Sequence, residues 1–204
     1  MSKPHTILAL DVATLTGVAE WEPGLASPRF HSVRFASPGD EHVETFVRAL
    51  RWIAERLSLG DVASVYLEAP LRIGASAGQT NADTVLRLNG LWAVISATVK
   101  YARVKYRDVN VQEARKVFLG NGQLRGSDAK PRALAMAESI GWRPNTLDEA
   151  DAAAVLYFAL TRECPNHAPM ISAMDHHRIA TASENAKILK EQEARKRKLE
   201  RLRA

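Results

Sequence analysis

A single cysteine, Cys164, among 204 residues excludes an internal disulfide. Such scarcity fits a reducing compartment rather than a secreted, cross-linked scaffold. Long apolar runs are missing too. None approaches the roughly 20 residues of a membrane span, and Met1-Ser-Lys-Pro-His5 leads into a short apolar segment without a cleavable signal pattern. A cytoplasmic protein with no membrane partner is expected. Internal repeats are absent. The stretch Gly120-Asn-Gly-Gln-Leu-Arg-Gly-Ser-Asp-Ala-Lys130 lacks the GKS or GKT ending of a nucleotide P-loop, so no nucleotide cofactor is expected. Cys164 with His167, His176 and His177 matches no usual zinc spacing. Positive charge is also thin over most of the chain. The net charge is +5, yet residues 184–204 hold eight Lys or Arg against four Glu, which leaves only +1 for residues 1–183.

What is present is apolar material, 46% of residues, ample for one buried core at this length. His5-Thr-Ile-Leu-Ala-Leu-Asp11 reads as a buried strand, Thr14-Leu-Thr-Gly17 as a turn, and Val18-Ala-Glu-Trp21 as a returning strand closed by Pro23-Gly24. Asp11 lies near the bend of this hairpin. A third strand is predicted over residues 30–36, and the spacing of Val43, Phe46, Val47, Leu50, Ile53 and Leu57 predicts a helix. Residues 62–68 form a further apolar strand, stopped by Ala69-Pro70 because proline disfavours regular structure through the residue before it. A long helix over 84–100, a half-exposed strand over 103–109, and helices over 111–119, 128–140 and 147–162 complete the pattern. Trp92, Trp142 and Tyr157 fall within the apolar periodicity and are assigned to the core.

Three meandering strands followed by alternating strands and helices predict an α/β fold, a mixed sheet with helices on its faces. Residues 1–163 are expected to form the main domain, 164–183 a linker marked by Pro165 and Pro169, and 184–204 a basic helical tail. That tail reads either as a phosphate-binding arm or as a solvated, frayed end.

Four carboxylates carry the chemistry. Asp11 and Glu68 each end an apolar strand, whereas Asp148 and Asp151 open a helix. Hard divalent cations take several oxygen ligands, and phosphodiester hydrolysis gains from two ions about 3.5–4 Å apart. Residues three apart on a helix share a face, with Cβ atoms about 5–6 Å apart, so Asp148 and Asp151 can reach one ion. Glu149 points elsewhere, as the third residue of a capping box begun by Thr146. Taken singly, each acid has an ordinary explanation: the helix acids complement the macrodipole, Asp11 supports a turn, and Glu68 ends a strand. Asp151 is followed by Ala-Ala-Ala-Val, and an acid entering an apolar helix face requires a partner. Together the four predict a magnesium-dependent nuclease site.

In that order, Leu10-Asp-Val-Ala-Thr-Leu-Thr-Gly17 with Val18-Ala19, then Tyr66-Leu-Glu68, then Asp148-Glu-Ala-Asp151-Ala152, resemble the motifs of the RuvC-type Holliday junction resolvases. These belong to the RNase H-like nuclease superfamily, and the resemblance covers residues 5–163. It implies an RNase H-like five-stranded sheet, a three-strand antiparallel meander followed by parallel strands. It also implies that Asp11, Glu68, Asp148 and Asp151 share two Mg²⁺ ions, with Mn²⁺ able to substitute, in a homodimer that nicks branched DNA, above all four-way junctions. Lys130 resembles a family lysine that contacts the scissile phosphate; the alternative is a solvated lysine in an ordinary helix-joining loop. Arg115, Lys116 and Arg125 are weaker candidates for backbone contacts. Arg72, beside the small residues 74–78, marks a loop that the family uses for junction binding and for its dimer surface. A related nuclease acting on RNA–DNA hybrids or other branched intermediates stays open. An actin-like or sugar-kinase-like ATPase is disfavoured, because Asp11-Val-Ala-Thr lacks a phosphate-loop glycine and the chain is short for two such domains. The compact form is compatible with a bacteriophage or bacterial origin.

Overall fold

The computed structural model describes residues 5–70 and 81–203, with side chains described as far as residue 194, so Arg72 and the stretch 74–78 lie outside the described residues. Strands β1 (Thr6–Asp11), β2 (Leu15–Trp21), β3 (Arg29–Arg34), β4 (Val62–Glu68) and β5 (Lys105–Val109) form one sheet in the order β3-β2-β1-β4-β5. The first three run as an antiparallel meander; β4 then pairs parallel to β1, and β5 parallel to β4. This is the RNase H-like mixed sheet that the motifs imply. Helices α1 (His42–Ser58), α2 (Ala82–Tyr101), α3 (Val111–Leu119), α4 (Gly126–Ser139), α5 (Leu147–Glu163) and α6 (Ala173–Arg203) complete the fold.

Strand β1 is buried along its whole length, and alternation divides its side chains between two cores. Leu8 and Leu10 pack with Ile53 of α1 and Leu91 and Ile95 of α2, whereas Ile7 and Ala9 pack with Phe118, Met136 and Leu156 on the opposite face. Helix α5 is the centre of that second face, with every residue from Glu149 to Leu160 buried. Its alanines at 150, 152, 153, 154 and 159 leave room for a close approach to the sheet.

One contact fixes where α5 begins. Gly17 stands opposite Asp11 across β1 and β2, and a Cβ on it would lie 2.0 Å from the Asp148 carbonyl oxygen. Only a residue without a side chain lets the first turn of α5 press against the strand at this point. Thr146 caps that turn by accepting from Glu149 N–H at 3.1 Å. Glu149 is turned away from the acids, accepting from Asn145 N–H at 2.7 Å and from the Ser32 hydroxyl at 2.9 Å. It thus behaves as the capping-box acid expected from sequence, with its return bond displaced by one residue.

At the other end of β1 lies a second ionic cluster. Arg56 on α1 donates to Glu20 at 2.9 and 3.1 Å and to Asp61 at 2.7 and 3.1 Å, while Thr6 donates to Asp61 at 2.9 Å.

The segment 164–183, expected to be a linker, is structured. It contains a 3₁₀ turn over Pro165–His167 and then the first residues of α6, which runs unbroken from Ala173 to Arg203. Pro165 serves as the first residue of the turn, and Tyr157 donates to the Pro169 carbonyl at 2.9 Å, holding the proline segment against α5. Among the described residues no helix is long and apolar enough to cross a membrane.

Candidate functional site

Parallel pairing sets Leu10 level with Leu67, so the next residues, Asp11 and Glu68, emerge side by side at the C-terminal ends of the two central strands. Their carboxyls share a hydrogen bond. The first turns of α5, seated by Gly17, bring Asp148 and Asp151 to the same place. Lys130 from the first turns of α4 closes the group: its Nζ lies 2.6 Å from Asp148 Oδ1, 3.2 Å from Asp151 Oδ2 and 3.8 Å from Asp11 Oδ2.

The electrostatics are those of acids forced together out of water. Asp11 and Asp151 are only 8% and 6% exposed. Burial, then the Glu68 and Asp151 charges, hold the Asp11 carboxyl well above the usual carboxylate range against the pull of Lys130. Burial likewise raises Glu68, with the Asp11 hydrogen bond opposing the rise. Burial also raises Asp151, although Lys130 and Arg115 draw it down. For Lys130, burial disfavours the ammonium, but the hydrogen bond to Asp148 and the charges of Asp11 and Asp151 outweigh it, so its pKa is raised and it stays charged.

A cavity of about 200 Å³ opens over these groups. Asp11, Glu68 and Asp151 line it with Lys130 and Arg115, and its remaining wall is apolar: Val12, Ala13, Pro70, Leu88 and Trp92. Arg115 donates to the Leu124 carbonyl at 3.2 Å, and its buried Nε has no hydrogen-bond partner. Trp92, expected in the core, packs half-buried against it and also forms part of this wall, with its indole N–H donating to Asp108 at 2.7 Å. Trp142 and Tyr157 are buried as expected.

The structure thus brings together Asp11, Glu68, Asp148, Asp151, Lys130 and Arg115. It leaves two candidates apart. Lys116 lines a separate polar groove of about 480 Å³ with Asn110, Glu113 and residues 120–123. Arg125 is exposed at the N-cap of α4. Leu88 and Trp92 escape sequence reading because a helix residue bordering a cavity has the same periodicity as one in the core. Their four-residue spacing on α2 is the signal available, and it does not say which side of the sheet edge they reach.

Among the described residues, no three His, Cys, Asp or Glu side chains stand at finished metal-ligand spacing. The Lys130 ammonium pairs with Asp148 and Asp151 there. The donor set nevertheless fits a hard divalent cation, since all four groups present carboxylate oxygens and their mutual repulsion is what such an ion relieves.

No protein-family profile and no curated protein matches the sequence. Solved structures do share its fold. The RuvC structure from Thermus thermophilus matches with a TM-score of 0.55 at 17% identity, over 77% of this chain and 95% of that one. Thermus thermophilus RuvC in complex with a Holliday junction substrate matches with a TM-score of 0.56 at 15% identity, over 74% and 90%. The yeast mitochondrial Holliday junction resolvase Ydc2 matches with a TM-score of 0.52 at 9% identity, over 76% and 78%. The chain has the RuvC-like fold.

Proposed function

We propose that this chain is a divalent-metal-dependent endonuclease that nicks branched DNA, resolving four-way junctions as a homodimer in the cytoplasm. The observation that carries the reading is the convergence of Asp11, Glu68, Asp148 and Asp151 around Lys130, at the end of the two central strands of a RuvC-like sheet.

Asp11, Glu68, Asp148 and Asp151 would hold the metal, two Mg²⁺ ions with Mn²⁺ as a substitute. When bound, such ions supply a water of lowered pKa and neutralise charge on the phosphate oxygens. The residues do the rest. Asp11 and Glu68 would bind as carboxylates, with Asp148 and Asp151, which pair with Lys130, beside them. Lys130 would stay charged and face the scissile phosphate as the charge on its oxygens grows. Arg115 supplies a second cation at the cavity wall. Trp92, Leu88 and Pro70 exclude water from one side of the cavity and present an apolar surface to the sugar or base beside the cut. Arg72, Lys116 and Arg125 serve as backbone contacts farther along the nucleic acid. Two-fold pairing suits a four-way substrate, and α1 offers a surface for it: Val43, Val47 and Leu50 form an exposed apolar stripe, 65%, 37% and 44% accessible, at helical spacing.

The test is incubation of the purified chain with labelled four-way, flap, RNA–DNA hybrid and linear duplex substrates, with and without Mg²⁺ or Mn²⁺. ATP turnover is followed in parallel. Paired, metal-dependent nicks near the branch point of the four-way substrate are expected. Preferential cutting of hybrids would reassign the substrate, and ATP turnover without cutting would reject the nuclease.

A further inference from the structure

Helix α6 divides into two unlike halves. The first is docked. His176 lies over Gly120, whose positive φ of 75° leaves the space; a Cβ there would meet the imidazole at 2.9 Å. The imidazole Nε2 is 3.3 Å from the Phe118 carbonyl. Ile179 packs against the main core, Glu184 lies 4.0 Å from Arg132, and Lys187 pairs with Asp128 at 2.8 Å. Asp128 and Lys130 share the first turns of α4, so this last tether is two residues from the lysine that touches the acids.

Beyond Lys187 the character changes. Ile188 and Leu189 are 46% and 60% exposed, and the helix continues for 16 residues to Arg203. At about 1.5 Å per residue that is a reach of roughly 24 Å. Residues 188–203 contain seven Lys or Arg and three Glu. Glu191 precedes Arg195, and Glu193 precedes Arg197, by four positions, the arrangement that stabilises a helix without tertiary packing. Arg195, Lys196, Arg197 and Lys198 are consecutive, and four consecutive positions take up a full helical turn. Basic positions therefore recur all round the helix axis rather than along one face.

We infer that α6 is a rigid arm, registered to the nuclease centre through the Lys187–Asp128 tether, whose outer half lies between phosphate backbones of the bound nucleic acid. A one-sided basic stripe would suit a single backbone. Basic positions on all sides suit a helix flanked by two, as in a major groove about 12 Å wide that admits a helix of 10–12 Å. This also places much of the chain's net positive charge where the near-neutral body lacks it. The inference rests on the nucleic-acid reading above.

The experiment measures binding alone, by fluorescence anisotropy of labelled four-way and linear duplex DNA in EDTA across a salt series. Three full-length proteins are compared: the natural chain, the variant R195Q/K196Q/R197Q/K198Q/R201Q/R203Q, and a variant with Gly-Gly inserted after Gln192 that keeps every charge but interrupts the helix. Matching thermal melts establish that all three are folded. Removing the six charges should reduce the slope of log K against log salt by about 3 to 5 and weaken binding at least about tenfold near 0.15 M salt. The insertion should weaken binding at least about threefold. An unchanged slope in the first variant, or full-strength binding by the second, overturns the inference. Loss of metal-dependent cutting by the natural chain would instead strike the nuclease reading, so the two failures are distinguishable.

Discussion

The two ends of strand β1 carry ionic clusters built on opposite terms. At the start of the strand, Arg56 is shared between Glu20 and Asp61 by four hydrogen bonds, and its hydrogen bonds hold the Asp61 carboxyl down at about 2 despite some desolvation. At the finish, one ammonium serves several acids, and burial with mutual repulsion drives Asp11, Glu68 and Asp151 upward. The first cluster is satisfied and holds the fold. The second is under-neutralised, which is the condition that the proposed cation site requires.

Substitutions at the two ends should separate activity from stability. The largest effect is expected from Asp11→Asn or Asp151→Asn: metal-dependent cutting should fall by about 10³-fold or more, while junction binding persists and the melting temperature in EDTA holds or rises. Gel assays and thermal melts read both, and a destabilised Asp11→Asn protein would show that the acids support the fold. At the other end, Arg56→Ala should cost about 3 kcal/mol in urea denaturation, because it leaves nearly buried Glu20 with only the longer Arg29 pair at 3.7 Å, and cutting at low temperature should survive. Selective loss of cutting without loss of stability would erase the contrast. Gly17→Ala should affect both properties, costing about 2 kcal/mol by forcing α5 off the sheet and reducing cutting by displacing Asp148. A protein unchanged in both would remove the glycine from the account.

The smallest expected effect is in pH dependence, where the two clusters carry opposite signs. The folded pKa of Asp61 is depressed, so its stabilisation is complete above the unfolded value near 4 and is lost as pH falls toward 2. Solvent screening of this partly exposed group limits the loss to about 1 kcal/mol. The folded pKa of Asp11 is raised, so its ionisation costs stability above that pKa, and acidification toward the unfolded value recovers it. Urea denaturation in EDTA should therefore show a gain for the natural chain as pH falls from neutral toward the unfolded value near 4, smaller in Asp11→Asn, then a fall below that value in both. Equal gains in both proteins would detach Asp11 from the effect.

Most of the frame could be read from sequence because each element within residues 5–163 carries its own periodicity and its own stop. Ala69-Pro70 ends β4, and the Thr146 cap starts α5. The helix spacing of Asp148 and Asp151 likewise places both near Lys130. What escaped depends on distant packing. No local pattern tells that Gly17 meets Asp148, or that Trp92, packed against the core, also lines the cavity. The start of helix α6, ahead of the helical tail expected over 184–204, was obscured for a different reason: it is anchored by a few contacts such as His176, while Pro165 and Pro169 suggested a break.

Gly17 also has an engineering consequence. Because the gap between strand and helix is set by a hydrogen atom where any other residue would place carbon, the placement of Asp148 beside the other acids is governed by a position that is not one of them. Under the proposed metal reading, cation preference should therefore be adjustable from behind the pocket, by sculpting the floor on which the acids stand while leaving every acid in place.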